Sequence, residues 1–442
     1  MTEAPDPERR PIAVLAAALP RQDQRLDLER PLGELAALAD TAGVEVRGES
    51  IIQRRDRPDG ATSLGKGTVL RLQEALEATG AELVIFDNDL KPRQRRNLEK
   101  QLGKRIQVID RTELILNIFA SHARTPQARL QVEVAKLEYE LPRLRRLWTH
   151  LDTGVGLRAA GEKQLEVDKR LVRKRIQDLK RELVDLRARK EREVDRRSEA
   201  YCVSLVGYTN AGKSTLMNRL TDADVYVADK LFATLDTRTR TWAVGPNREV
   251  LLSDTVGFIR HLPHNLVESF HATLEEAVTA DLLLHVVDAS DPEALEHVRA
   301  VREVLASLGI KDRDELIVLN KVDRAEPELL PYLERRLVNT IRVSAKTGEG
   351  AEALAAKVNE LAAATELDYE VSLDVREGAA IAYLEGLAEV RAKELREETL
   401  DYTIRCRPAV LGGLRRRVRK PQGLVIKGEP EPQPDDLDFL RD

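Results

Sequence analysis

An apolar run, AYCVSLVG, turns directly into GYTNAGKS, Gly207 to Ser214, and then into the helical stretch STLMNRL. No other feature of the chain restricts its fold so tightly. A strand, a loop with Gly207 and Gly212 at its two ends, and a helix opening on Lys213 and Ser214 together make the phosphate-loop pattern in the context it requires. The glycines let the backbone of Tyr208, Thr209, Asn210 and Ala211 turn its amides inward, a nest at a helix N-terminus where negative charge is favoured. Lys213 can reach β and γ phosphates, the Ser214 hydroxyl can ligate Mg²⁺, and Thr215 follows in the same expected contact set.

Three further signatures follow in order. LLSDTVGF ends an apolar strand in Asp254 and continues through Thr255 and Val256 to Gly257. In that DxxG pattern Asp254 would hold Mg²⁺ through water, and the Gly257 amide would sense the γ phosphate. LIVLNKVD ends another buried strand in Asn320, Lys321 and Asp323. Guanine presents N1–H and a 2-amino group, two donors that one carboxylate accepts together, whereas adenine offers an acceptor at N1 and lacks the 2-amino group. A buried polar match of this kind commonly rejects the wrong partner by roughly 10⁴-fold. RVSAKTGEG then supplies Ser344, Ala345 and Lys346, whose backbone can meet guanine O6. The set reads as a GTP-hydrolysing switch domain that cycles between GTP and GDP.

Between the first two signatures, LFATLDTRTR reads as the first switch, with Phe232 and Ala233 leading to Thr234. Thr234 is the expected second protein hydroxyl on Mg²⁺, ordered while the γ phosphate is present; Thr237 and Thr239 are rivals. Lys213, Thr234 and Gly257 are the expected catalytic groups. Asp222, Asp224 and Asp229 read as loop solvation rather than metal ligands. Phe258 stands where many GTPases carry a glutamine that orients the attacking water. It cannot hydrogen-bond water, so slow intrinsic turnover and completion of the site by a partner are expected. Asn210, three residues before Lys213, is placed to help bind a K⁺ ion near the phosphates; the plain alternative is that it braces the loop.

At 442 residues the chain has room for roughly three domains. Residues 1–111 alternate apolar strands (IAVLAAAL, VEVRGESII, ELVIFD, RIQVID) with helical stretches, which argues a small, mostly parallel α/β sheet. SLGKGT in this part lacks the spacing of a phosphate loop and reads as a turn before a helix. Residues 112–198 read as two long helices joined by the glycine-containing TGVGLRAAG, a long antiparallel helical hairpin. Residues 199–365 form the nucleotide domain, closed by AEALAAKVNELAAAT. Residues 366–442 suit a small α+β domain with a helix through AIAYLEGLAEVRAKELREE and a disordered acidic tail, EPEPQPDDLDFLRD.

Charge and composition narrow the partners. Hydrophobic residues make up 42% and charged ones 33%, and the net charge is −5, without a global nucleic-acid signature. Locally, residues 162–198 carry 14 basic against 9 acidic side chains, either a solvated helical face or a stripe that contacts phosphates. No apolar run is long enough to span a membrane, the polar N-terminus is unlike a signal peptide, and Cys202 and Cys406 read as reduced thiols of a cytoplasmic, monomeric protein.

DTVGFIRHLPHNLVESFHATLEEA, LFATLD, DRTELILNIFASHARTPQARLQVEVAKLEYELPRL and GEKQLEVDKR together resemble the HflX family of ribosome-associated GTPases, over about residues 30–365. The resemblance implies a four-part plan: N-terminal α/β domain, helical arm, G domain and small C-terminal domain. It also implies binding to the large ribosomal subunit including its RNA, and rescue of stalled ribosomes by splitting subunits. Leu157, Ala159 and Ala160 depart from the family's glycine-rich arm loop, while Gly154, Gly156, Arg158 and Gly161 keep a cationic tip. The switch reads LDTRTR where LDPTTR is usual. A ribosome-assembly GTPase, or an RNA-binding scaffold with a nearly inactive G domain, stands as the alternative. A tRNA-modifying GTPase would want a C-terminal catalytic cysteine, and Cys406 is isolated.

Overall fold

A computed structural model describes residues 10–27, 29–103, 105–146, 158–194, 200–221, 231–232, 238–246, 248–260, 277–310, 313–419 and 424–428. The expected glycine loop of the arm, the acidic tail, and Asp222, Asp224, Asp229, Ala233, Thr234 and Thr237 lie outside the described residues or outside those with described side chains. Contacts divide the chain into two units. One joins Met1–Arg189, Val203–Arg240 and Leu252–Glu349; the other joins Lys190–Cys202, Thr241–Leu251 and Gly350–Asp442.

The first unit begins with β1 (Ile12–Leu19), α1 (Gly33–Thr41), β2 (Glu45–Val46), β3 (Ile51–Arg54), α2 (Lys66–Thr79), β4 (Leu83–Phe86), α3 (Pro92–Leu102) and β5 (Gln107–Asp110). Their sheet runs β2-β1-β4-β5 with β3 also on β1, and every pairing is parallel. All eight residues of β1 are buried, because it is sandwiched on both faces. Ala13, Leu15, Ala17 and Leu19 share one core with Leu35 and Leu38 of α1. Val14, Ala16 and Ala18 share the other with Leu72 and Leu76 of α2 and Leu98 of α3.

Where one long helix is expected after residue 112, the structure has two. Asp110 caps α4 (Arg111–His122) by accepting from the Glu113 amide at 3.0 Å, and Leu114, Ile115, Ile118 and Phe119 pack into the core beside α1. The run breaks because Pro126 lacks an N–H and holds Thr125 extended, with its hydroxyl capping α5 (Pro126–Glu140). Helix α6 (Arg158–Val194) packs on α5 through Val134, Ile176 and Leu179.

The nucleotide-domain sheet comprises β6 (Cys202–Gly207), β7 (Arg238–Gly245), β8 (Arg248–Asp254), β9 (Leu282–Asp288), β10 (Asp314–Asn320) and β11 (Thr340–Arg342), in the order β11-β10-β9-β6-β8-β7. Helices α7 (Lys213–Thr221), α8 (Ala294–Ser307), α9 (Leu329–Arg336) and α10 (Ala351–Ala364) alternate with them. Strands β6, β9, β10 and β11 pair in parallel, with Gly207 beside Val286 and Asp288 beside Asn320. The carboxyl ends of three strands therefore meet at one edge, the usual ligand crevice of an open parallel sheet.

In the second unit, β12 (Leu367–Asp374), α11 (Gly378–Leu387), β13 (Glu389–Arg396), β14 (Thr399–Cys406), α12 (Pro408–Arg417) and β15 (Val425–Lys427) give a split βαβ arrangement, sheet order β13-β14-β12-β15, all antiparallel. Tyr369, Val371, Leu373, Tyr402, Ile404 and Cys406 face the helices. The helix expected to run through EVRAKELREE stops at Leu387, and EVRAKELR is a strand. Its helix-forming residues are overruled by pairing with β14. Neither cysteine forms a disulfide; burial pushes the Cys406 thiol up to about 12, which leaves it unreactive. No helix among the described residues is long and apolar enough to cross a membrane.

Candidate nucleotide-binding site

The loop leaving β6 is shaped by a close approach. A Cβ on Gly212, which sits at φ +95°, would fall 2.3 Å from Asn320 Nδ2, so only glycine fits. Asn320 is the reason: its Nδ2 donates to the Ala211 carbonyl at 2.8 Å, while its Oδ1 accepts from the Ala345 amide at 3.0 Å. One buried side chain thus ties the loop to two of the predicted base-binding segments.

Lys213 opens α7 with 6% of its surface exposed, and its Nζ donates to the carbonyls of Gly207 and Tyr208, each at 2.9 Å. Burial pushes its pKa down to about 8 against the pull of Asp254. An ammonium so poorly solvated is ready for an anionic partner. The Ser214 hydroxyl donates to Asp254 Oδ2 at 2.7 Å, and Asp254 is fully buried at the end of β8. Thr255 is locked by its hydroxyl donating to the Leu205 carbonyl at 2.7 Å, and Val256 is buried beside it. A Cβ on Gly257 would lie 2.8 Å from Thr209 Cα and 3.2 Å from Lys213 Nζ, so this glycine stands directly over the loop. Hydroxyl and carboxylate oxygens suit a hard cation that keeps waters and substrate phosphates as its other ligands. Among the described residues no cluster of three or more His, Cys, Asp or Glu could hold a metal.

At the base side, Lys321 adopts φ +62° and its Nζ pairs with Asp288 Oδ2 at 2.7 Å. The Ser344 hydroxyl donates to Asp323 Oδ1 at 2.6 Å, and Arg219 donates to the carbonyls of Ala345 at 3.3 Å and Lys346 at 2.8 Å. Asp288 was not singled out in the sequence. Its position beside Asn320 at the end of a parallel strand follows only from the β9–β10 register. Asn210 adopts φ +60° and is exposed. Thr239 lies in β7 with its hydroxyl 3.1 Å from that of Ser253. Phe258 is 2% exposed.

The N-terminal α/β part contributes a second layer that the motifs did not announce. The Tyr208 phenol donates to Glu34 at the start of α1, accepts from the Arg260 amide at 2.8 Å, and its ring stacks on His297 at 3.8 Å. Glu34 also receives the Arg111 guanidinium at 2.7 Å, and Arg111, 3% exposed, pairs with Asp87 at 2.8 Å. A cavity of about 240 Å³ opens here between Arg25, Glu34, Arg111, Tyr208, Asn210 and Arg260.

This fold, with loop, DxxG segment, NKxD segment and SAK turn gathered at the strand ends, defines a P-loop GTPase. Family models match successive stretches: "GTP-binding GTPase N-terminal" over 29–120, "GTP-binding GTPase Middle Region" over 122–197, and "50S ribosome-binding GTPase" over 202–321. The GTPase HflX of Magnetococcus marinus is 43% identical over 426 residues, 95% of this chain and 97% of that protein. The GTPase HflX of Escherichia coli is 45% identical over 376 residues, 83% of this chain and 86% of that protein. A GTP-binding protein from Sulfolobus solfataricus, crystallised with GDP, is 26% identical with a TM-score of 0.41, covering 79% of this chain and 98% of that one. The chain belongs to the HflX family of GTPases.

Proposed function

We propose that the protein is a Mg²⁺-dependent GTPase that binds the large ribosomal subunit, including its RNA, in the GTP form, splits or rescues stalled ribosomes, and leaves after hydrolysis to GDP and phosphate. One observation carries the reading: the triphosphate loop keeps Lys213, Ser214 and Asp254 assembled, while Phe258 is buried with its backbone bonded to the loop. Phenylalanine cannot orient water, so a partner must complete the site, and stimulation from such completion can be on the order of 10³ to 10⁵. The description of the matching family as a 50S ribosome-binding GTPase supports the large subunit as that partner.

In this reading Lys213, with the amides of residues 208–215, holds the β and γ phosphates. The hydroxyls of Ser214 and Thr234, and Asp254 through water, would hold Mg²⁺, which supplies positive charge to the phosphate oxygens. The Gly257 amide meets the γ phosphate as water attacks in line. Asn320, Lys321, Asp323 and the turn Ser344–Lys346 select guanine, and Asn210 would help hold K⁺ if the protein uses it.

The four-part division at residues 111, 198 and 365, a monomeric state and a cytoplasmic location belong to the same proposal. Arg170, Arg173 and Lys174, exposed on α6, support an arm that contacts RNA phosphates. Differential affinity between nucleotide states would drive the cycle, since equal affinity shifts nothing. Sedimentation with ribosomal subunits tests it. The protein should travel with large subunits in a non-hydrolysable GTP analogue and stay behind in GDP; equal distribution in both would defeat the proposal.

A further inference from the structure

We infer that Thr209 is a positioning residue that holds the roots of both switch segments at once, so that one cannot change course without the other. Its side-chain hydroxyl accepts from the Phe232 amide at 3.0 Å, and its own amide donates to the Phe258 carbonyl at 2.7 Å. Phe258 returns a second bond, its amide donating to the Gly207 carbonyl at 3.1 Å, so the segment after Gly257 is paired to the loop like a short parallel strand. Thr209 is 7% exposed, and water has little access to compete for either bond.

Each root carries a sign of being held. Phe232 lies at φ +56°, a region bulky residues leave unless their surroundings over-determine them. The surroundings here are Phe119 of α4, edge-on at 4.7 Å between ring centroids, and Thr41 of α1, whose hydroxyl accepts from the neighbouring Leu231 amide at 3.2 Å. On the other side, Gly257 stands against Thr209 and Lys213, where a γ phosphate must be received. A phosphate that recruits the Gly257 amide pulls on the residue next to Phe258, whose amide and carbonyl are held by Gly207 and Thr209. Since Thr234 lies two residues beyond Phe232, loosening one root through Thr209 changes the start of the other segment. A clasp that holds both roots resists any shift of them that a γ phosphate requires, whereas GDP, which has no γ phosphate, does not require that shift.

The inference rests on the nucleotide pocket and not on the ribosomal partner. It is tested with the full chain and no ribosomes, using fluorescent GDP and a non-hydrolysable GTP analogue; a wild-type protein that binds neither would sink the pocket itself, a separate failure. Thr209→Val keeps the shape and removes the acceptor. It should raise the affinity for the GTP analogue relative to GDP by about five- to tenfold, the worth of one hydrogen bond. It should also quicken amide hydrogen exchange in peptides covering both Phe232 and Phe258. Thr209→Ala should do the same, and Thr209→Ser should restore wild-type behaviour. Equal weakening of both nucleotides, faster exchange at Phe232 alone, or disagreement between Val and Ala would overturn the inference.

Discussion

Asp323 stands on the turn after β10, oriented by the Ser344 hydroxyl at 2.6 Å, and its carboxylate is the group expected to accept from both guanine donors. Asp323→Asn should lower GTP affinity by roughly 10³-fold or more and transfer preference to xanthosine triphosphate. Competition binding reads this directly, and unchanged GTP use would remove Asp323 from base recognition. A second residue-level expectation concerns acid stability. Burial would raise the Glu315 carboxyl, but hydrogen bonds from His285 and Arg302 outweigh it and bring it to about 2; burial also lowers His285 despite its bond to Glu315. Both folded values lie below the ordinary ones, 6.5 for His285 and 4.5 for Glu315, so in acid the unfolded chain binds more protons. Thermal stability should fall as pH drops below about 6.5, and more steeply between about 4.5 and 2. Glu315→Gln should flatten that lower limb, whereas an unaltered limb would assign acid sensitivity elsewhere.

Among the elements, β1, β4, β5, β6 and β10 were legible because each is a short apolar run ended by polar punctuation, and the phosphate loop because its spacing is chemically constrained. The break at Thr125–Pro126 was readable from the proline, but the apolar pattern on either side concealed it. Strand β13 was not legible: Glu, Lys, Leu and Arg favour helix locally, and only the β14 partner decides against it. Helix α12 was hidden by Gly412 and Gly413 although Pro408 marks its first turn. Asp288, Glu34 and Arg111 escaped for the same reason, since each earns its place from a contact distant in sequence. The α5–α6 contact is small enough to test alone. Leu179 is fully buried there, and the surrounding pairs Arg175–Glu133 and Lys180–Glu138 each have an exposed cation and contribute little. Leu179→Ala should cost about 2–4 kcal/mol of local stability. Hydrogen exchange should rise across α6 with GDP affinity unchanged; loss of GDP binding would mean that the arm supports the pocket.

At the scale of the first unit, the N-terminal α/β part is bonded to the nucleotide loop through Tyr208–Glu34 and to the first switch through Leu231–Thr41. Phe258, in the position after Gly257, is buried and cannot hydrogen-bond an attacking water. Binding and hydrolysis should separate accordingly: guanine nucleotide taken up by the protein alone, turnover supplied by the partner. The most direct measurement is the rate of GTP hydrolysis by the full chain with and without purified large ribosomal subunits. A rise on the order of 10³-fold is expected on their addition. A rate that stays flat across saturating subunits would contradict the proposed dependence of this GTPase on the ribosome.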